Sequence, residues 1–302
     1  MSQTGRRVVT THTEAEIASQ PDCWRRAAAA VPADALPQPG ERVAVVGCGT
    51  SWFVAQAYAA LRERAGHGET DAFAASEAPA GRSYDRVLAL TRSGTTTEVL
   101  DLLRDTGART TAITADPDTP VMALADRVVV LDYADERSVV QTRFATTQLA
   151  LLRAHLGEDL TAAVADAERA LAEPLPPETL TAEQITFLGR GWTYGLALEA
   201  GLKMREACRA WTEAYPAMEY RHGPISIAGP GRITWMLGDA PEGLREEVEA
   251  TGGAFLAGGL DPMAELVRVQ RVAAARALAR GLDPDRPLHL TRSVILPARE
   301  SR

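Results

Sequence analysis

Short apolar runs alternate with longer stretches of helical spacing along most of this chain. The apolar runs that predict buried strands in the first half are residues 42–46, 86–90, 110–114 and 127–131. The stretches that predict helices are residues 14–30, 52–65, 95–106, 120–125 and 143–156. Strands that alternate with helices are typical of a parallel sheet covered on both faces, so the pattern predicts an α/β fold.

Two proline-rich links, residues 31–39 and 172–177, divide the chain. They predict a leading helical segment over residues 1–34, a first domain over 35–160 and a second domain over 177–302. After the second link the pattern restarts, because residues 45–51 and 73–77 recur in register at 187–193 and 215–219. This internal repeat predicts two tandem domains of one fold. The second domain is predicted to be shortened, since residues 238–267 leave room for only one helix and one strand (253–256).

The composition excludes several classes of protein. The chain has 302 residues, 46% of them hydrophobic, and a formal net charge of −8, which argues against a broad nucleic-acid or membrane surface. No segment has the roughly 20 apolar residues of a membrane-spanning helix, and no signal peptide precedes the first domain, so we expect a cytoplasmic protein. The three cysteines (Cys23, Cys48 and Cys208) are scattered, which predicts neither disulfides nor a metal site.

Lys203 is the single lysine among 32 basic residues. A lone lysine arises by chance or marks a position that needs a compact ammonium able to lose its proton. Glu199, Lys203 and Glu206 stand at i, i+4 and i+7, so they share one face of a helix. That face is either a solvated stripe of ion pairs or a buried functional group, and the apolar residues around it favour burial.

Hydroxyl-bearing loops follow two predicted strands of the first half. Residues 93–97 read Ser-Gly-Thr-Thr-Thr, and Thr50-Ser51 follow the preceding strand. A loop of this type at a helix start suits a phosphate group, although serine and threonine also cap helices for purely local reasons. In the second half, His222 lies in a loop sequence, where a histidine is either a surface residue or part of a site.

Together these motifs resemble the sugar isomerase (SIS) domain family. They are Gly-Cys-Gly-Thr-Ser at 47–51, Ser-Gly-Thr-Thr at 93–96, the glutamate- and lysine-bearing stretch 198–206, and Glu-Tyr-Arg-His-Gly-Pro at 219–224. The similarity covers nearly the whole chain, and the motifs resemble those of the isomerase half of glucosamine-6-phosphate synthase. Stand-alone aminosugar-phosphate deaminases and fructosamine-phosphate deglycases are similar as well.

The resemblance implies two flavodoxin-like SIS domains in a homodimer, without the glutaminase domain of the full synthase and without a cofactor or metal. It implies that Glu206 moves a proton between C1 and C2 of a sugar phosphate. It also implies that His222 opens the sugar ring from the partner subunit, and that Lys203 and Glu199 line the pocket. The residues that it assigns to the phosphate are Thr50, Ser51, Thr91, Arg92, Ser93 and Thr96.

Two positions depart from the family pattern. Arg292 stands where the family has a lysine that forms a Schiff base with the ketose, and arginine cannot form that adduct. Gln141 stands where a serine helps to hold the substrate. The resemblance therefore leads to aldose–ketose isomerisation, or to deamination or deglycation, of an amino-substituted hexose phosphate. The alternative is a non-catalytic regulator that binds sugar phosphates, but the chain carries the acid–base residues and has no segment for a DNA-binding helix-turn-helix.

Overall fold

The first of two sheets in the structure, a computed structural model that describes residues 10–297, consists of five parallel strands. Its strands are β1 (Val43–Gly47), β2 (Thr70–Ala74), β3 (Arg86–Leu90), β4 (Arg109–Thr114) and β5 (Arg127–Val130). They lie in the order β2-β1-β3-β4-β5. Of these strands, β2 was not predicted, because it lies at the edge and is only partly buried, so its residues form no apolar run.

The second sheet has four parallel strands. They are β6 (Gln184–Gly189), β7 (Thr212–Pro216), β8 (Arg232–Met236) and β9 (Ala254–Ala257), in the order β7-β6-β8-β9. This order repeats that of the first four strands of the first sheet. The predicted α/β fold, with parallel sheets flanked by helices, is confirmed.

Eleven helices surround the strands in the described part of the chain. They are α1 (His12–Ala18), α2 (Gln20–Ala29), α3 (Thr50–Arg64), α4 (Thr97–Asp105), α5 (Val121–Leu124), α6 (Arg143–His155), α7 (Thr161–Ala172), α8 (Pro177–Thr181), α9 (Thr193–Cys208), α10 (Leu244–Glu249) and α11 (Pro262–Ala279). The prediction of one helix over residues 14–30 is wrong, because the chain breaks at Ser19. Pro21 has no N–H to donate and its ring would clash with a helix continuing from α1, so a second helix starts there instead.

The main apolar core lies between the two sheets. Side chains alternate along β1, so that Val43 and Val45 point into this core while Ala44 and Val46 pack towards α4 and α5 on the other face. Because both faces of the sheet are covered, the strands read as continuous apolar runs. Between the two sheets, α3 and α9 pack against each other. This packing brings the carboxyl edge of β1, where α3 begins, close to the C-terminal half of α9.

No helix within residues 10–297 is long and apolar enough to cross a membrane. The predicted domain boundaries, 1–34, 35–160 and 177–302, stay predictions. Residues 1–9 of the leading segment and 298–302 of the second domain lie outside the described residues.

Candidate active site

A tight turn presents Thr50 and Ser51 at the carboxyl edge of β1. A Cβ on Gly47 would lie 2.7 Å from the Cβ of Ser51, so only glycine permits this approach. Gly49 has φ of +55°, which also favours glycine. Thr50 and Ser51 are both buried, in the first turn of α3.

A second hydroxyl-bearing loop follows β3, the neighbour of β1 in the sheet. In this loop Thr91, Arg92 and Ser93 are buried, and Thr96 is the residue that precedes α4. The Ser93 Oγ accepts a hydrogen bond from the backbone N–H of Thr95 (3.3 Å) and lies 3.0 Å from the Thr95 hydroxyl, in a pair in which either oxygen can be the donor.

The charged face of α9 is buried against the first of these loops. The ammonium of Lys203 lies 2.5 Å from the Glu206 Oε2 and 3.3 Å from the Glu199 Oε1. The side chains of Glu199 and Lys203 are 0% and 1% exposed, and that of Glu206 is 17% exposed. A solvated stripe of ion pairs is therefore excluded, and the expectation of a buried charged face is confirmed.

Thr50 connects this charged face to the first loop. Its Oγ1 accepts a hydrogen bond from the Lys203 Nζ at 3.0 Å and donates one to the Glu199 Oε1 at 3.3 Å. The hydroxyl of Thr50 is thus occupied by the charged residues of α9.

Burial and mutual attraction set the protonation of the cluster. Burial raises the pKa of Glu199 to about 7, against the opposing effect of the Lys203 charge. For Lys203, burial works to lower the pKa, but the nearby carboxylates of Glu199 and Glu206 outweigh it and the pKa is raised overall. Lys203 therefore stays an ammonium, while Glu199 exchanges its proton near neutral pH.

The guanidinium of Arg92 is hydrogen-bonded to a carboxylate and to backbone carbonyls of the protein itself. Its guanidinium donates to the Glu136 Oε2 (3.4 Å) and to the backbone carbonyls of Ser138, Val139 and Arg292. Glu136 is fully buried and also accepts hydrogen bonds from Thr142 and Arg143. Arg92 thus ties the loop between β5 and α6 to the C-terminal part of the chain.

Several buried polar atoms near these loops and α9 have no hydrogen-bond partner among residues 10–297. They include the Thr91 Oγ1, the Gln141 Oε1 and the Glu199 Oε2. Buried polar atoms are nearly always hydrogen-bonded in proteins, so these atoms are available to a polar ligand or to water. Gln141 occupies the β5–α6 loop that Arg92 holds in place.

The C-terminal segment, residues 283–297, crosses the site. At its start the Asp285 carboxylate accepts hydrogen bonds from the backbone of His12 and Thr13 and from the Thr13 hydroxyl. Further on, the Arg292 guanidinium donates to the Asp135 Oδ1 and to the Glu136 carbonyl, both at 2.5 Å. Arg292 therefore anchors this segment to the β5–α6 loop.

The end of the segment reaches the second hydroxyl-bearing loop. The Thr95 hydroxyl donates to the Ser293 Oγ at 2.9 Å, and the backbone N–H of Thr97 donates to the Val294 carbonyl at 3.2 Å. The segment thus runs from the end of α9, past the β5–α6 loop, to the start of α4.

His222 does not join the other predicted site residues within one chain. It is exposed and ends a 3₁₀ helix (Glu219–His222) that follows β7, and β7 ends level with the start of α9. Glu206 lies thirteen residues further along α9, about 20 Å from that end at 1.5 Å per residue. Arg221, next to His222, is bonded to Glu247 on α10, on the far side of the second sheet.

Sequence reasoning missed two titratable residues near the site. Glu136 was missed because its partner Arg92 is distant in sequence, and His289 because it lies in an irregular segment without periodicity. Among residues 10–297 no group of three or more histidine, cysteine, aspartate and glutamate side chains is placed to hold a metal ion.

By sequence and by fold, this chain is similar to proteins whose names specify sugar phosphates. By sequence, a glutamine–fructose-6-phosphate aminotransferase (isomerizing) from Sulfurisphaera tokodaii is 28% identical over 294 residues, which cover 84% of this chain and 50% of that protein. The chain spans about half the length of the curated relatives it matches. No protein-family model matches the chain.

Solved structures extend the similarity to almost the whole chain. Glucosamine-6-phosphate deaminase from Thermotoga maritima has a TM-score of 0.78 and 25% identity, and the match covers 95% of this chain and 100% of that one. The C-terminal domain of glucosamine-fructose-6-phosphate aminotransferase from Francisella tularensis has a TM-score of 0.77 and 22% identity, with 95% and 100% covered. The resemblance to the sugar isomerase family is thus confirmed, and the homologues are the isomerase part of these aminotransferases.

Proposed function

We propose that this protein is a cytoplasmic phosphosugar enzyme that isomerises an aldose and a ketose, or that deaminates or deglycates an amino-substituted hexose phosphate. The observation that carries this proposal is the buried ammonium of Lys203, held between Glu199 and Glu206 and hydrogen-bonded to Thr50 of the first hydroxyl-bearing loop. Two carboxylates in different environments suit the proton transfers that such reactions share.

The two sheets support an arrangement of tandem domains. We assign the first domain to residues 35–160 and the second to residues 177–302, preceded by a helical segment over 1–34. The sheet of the second domain is the smaller one, with four strands against five in the first. In this arrangement the first domain binds the phosphate and the second contributes α9 with its acid–base residues.

The hydrogen bonds divide the six predicted phosphate residues into two groups. We assign the phosphate to Ser51, Thr91, Ser93 and Thr96, because the Thr91 hydroxyl has no hydrogen-bond partner among residues 10–297 and the helix starts favour anions. Thr50 and Arg92 are positioning residues instead, since Thr50 holds Lys203 and Arg92 holds the loop that carries Gln141.

Glu206 is the proposed general base. It is the most exposed member of the charged face, so a substrate can reach its carboxylate, and Lys203 orients it through the 2.5 Å hydrogen bond. Lys203 itself is a poor nucleophile because it is held charged. Arg292 forms no Schiff base and serves as an anchor, so the reaction proceeds without a covalent link to the protein.

His222 is proposed to act from the partner subunit of a homodimer. It lies far from Glu206 within one chain, on an exposed loop that is free to reach another molecule. Mixing Glu206→Gln with His222→Ala subunits should therefore restore one working site per mixed dimer, because one site receives both wild-type residues. Activity should be measured after subunit exchange has been verified by native mass spectrometry. Mixed dimers without activity would contradict the assignment of His222 to the neighbouring site.

A regulatory protein that only binds sugar phosphates is the less favoured candidate. Burying a lysine with two carboxylates is costly unless each charge is paired and put to use. Phosphate binding alone requires only the two loops of the first sheet, and would not require Glu199, Lys203 and Glu206.

The test is a panel of phosphorylated ketoses, aldosamines and fructosamines, in which NMR detects changes at C1 or C2. We expect the wild type to convert at least one compound, and Glu206→Gln to convert it at least 100-fold more slowly, the usual scale for a lost general base. The control is Glu178→Gln, an exposed glutamate on α8, which should act like the wild type. Binding without turnover across the panel would favour the regulator.

A further inference from the structure

A second histidine besides His222, His289, lines the same cleft as Glu206. It has no part in the mechanism proposed above. The cleft has a volume of about 440 Å³ and lies between the end of α9 and the C-terminal segment. Its walls are formed by Leu202, Arg205, Glu206, Arg209, Leu288, His289 and Leu290. Of these residues only Glu206 and His289 carry side chains of the types that act as general acids and bases.

The backbone holds His289 in an unusual conformation. Its φ is +64°, in the left-handed region that residues with a Cβ seldom adopt, and histidine is one of the residue types that tolerate it. His289 lies between two anchored residues, because Asp285 is hydrogen-bonded to α1 and Arg292 is hydrogen-bonded to the β5–α6 loop. A strained residue between two anchors, facing a cleft with a carboxylate, is typical of a functional position.

Three charged residues line the cleft together with His289, namely Glu206, Arg205 and Arg209. Glu206 supplies the one carboxylate, and its Oε2 is bonded to Lys203 behind it. Arg205 and Arg209 supply two guanidiniums, of which Arg205 is bonded to Thr212. Leu288 and Leu290, the neighbours of His289, form the apolar part of the wall.

We propose that His289 is the proton-transfer partner of Glu206 in the site of its own chain. This inference rests on the proposed function. As the Glu206 carboxylate takes a proton from the carbon beside the carbonyl, the C–H electron pair forms the C=C bond of an enediol or enolamine. The carbonyl π pair then takes a proton from the His289 imidazolium. Glu206 gains one proton and His289 loses one, and the reverse transfers at the adjacent carbon and oxygen complete the isomerisation.

The test follows solvent deuterium entering fructose 6-phosphate and glucosamine 6-phosphate, by NMR, with the full chain. His289→Asn is the variant of choice, because asparagine also tolerates the left-handed backbone but cannot exchange a proton. We expect exchange at least 100-fold slower than in the wild type and the loss of one limb of the pH profile. Added imidazole should partly restore exchange in His289→Gly, which keeps the backbone and leaves space. His67→Asn, the same change three residues beyond the C-terminal end of α3, should behave like the wild type.

Subunit mixing separates this role from that of His222. Glu206→Gln and His289→Asn alter the same site of each chain, so their mixed dimers should stay inactive, in contrast to mixtures with His222→Ala. Two results would overturn the inference and leave the proposed function unaffected. One is a wild-type exchange rate in His289→Asn. The other is slow exchange in His289→Asn with the wild-type pH profile, together with no recovery of His289→Gly by imidazole. If the wild type neither binds any sugar phosphate in the panel nor catalyses deuterium exchange into one, both the inference and the proposed function are wrong.

Discussion

Lys203→Arg should lower turnover at least 100-fold while the protein stays folded. The Lys203 ammonium lies within 3.3 Å of three oxygens, from Thr50, Glu199 and Glu206, in a space that is almost closed to solvent. Three donors on one nitrogen match this arrangement, whereas the planar guanidinium of arginine is larger and directs its donors outwards in a fork. The carboxylate of Glu206 would therefore be displaced, and displacement of a catalytic group by about 1 Å can cost 100-fold in rate.

The measurement is turnover of the best compound of the panel, together with thermal unfolding to verify the fold. Arg64→Lys serves as control, because Arg64 is 63% exposed at the end of α3 and makes one weak ion pair. Full activity in a folded Lys203→Arg protein would show that only the charge matters at this position. The lone lysine would then carry no functional meaning.

The part of the site that depends on local sequence was predictable. The spacing of Glu199, Lys203 and Glu206 defines one helix face, and apolar neighbours indicated its burial. Likewise, serine and threonine after a strand indicated the hydroxyl-bearing loops. These features follow from periodicity and from the chemistry of neighbouring residues, which a single sequence contains.

The rest depended on contacts between distant parts of the chain. The hydrogen bonds of Thr50 reach residues of α9 that are 149 and 153 positions away in the sequence. Neither these bonds nor the pairing of Arg92 with Glu136 can be read from neighbouring residues in the sequence. The path of the C-terminal segment was not predictable for the same reason, and with it the position of His289. In the leading helix, by contrast, the break at Ser19 had a local cause in Pro21, which the apolar periodicity concealed.

Glu199→Gln should remove a pH dependence of stability that the wild type carries. The pKa of Glu199 rises from the ordinary 4.5 to about 7 in the folded protein, chiefly because of burial. Between these two values the folded chain keeps a proton that the unfolded chain has released. The free energy of unfolding therefore falls as the pH rises through this window, by on the order of 3 kcal/mol for this group at 1.36 kcal/mol per pKa unit.

Glutamine has nearly the same shape as the protonated carboxyl and does not ionise. The unfolding free energy of the variant should therefore increase relative to that of the wild type as the pH rises. We expect the difference in unfolding free energy, variant minus wild type, to increase by about 3 kcal/mol between pH 4.5 and pH 8, as measured by urea unfolding at several pH values. Glu178→Gln, the exposed control on α8, should show no such trend. A flat difference for Glu199→Gln would mean that Glu199 is ionised throughout this range. Lys203 would then neutralise it fully, and the buried cluster would hold two carboxylates and one ammonium at every pH at which the enzyme works.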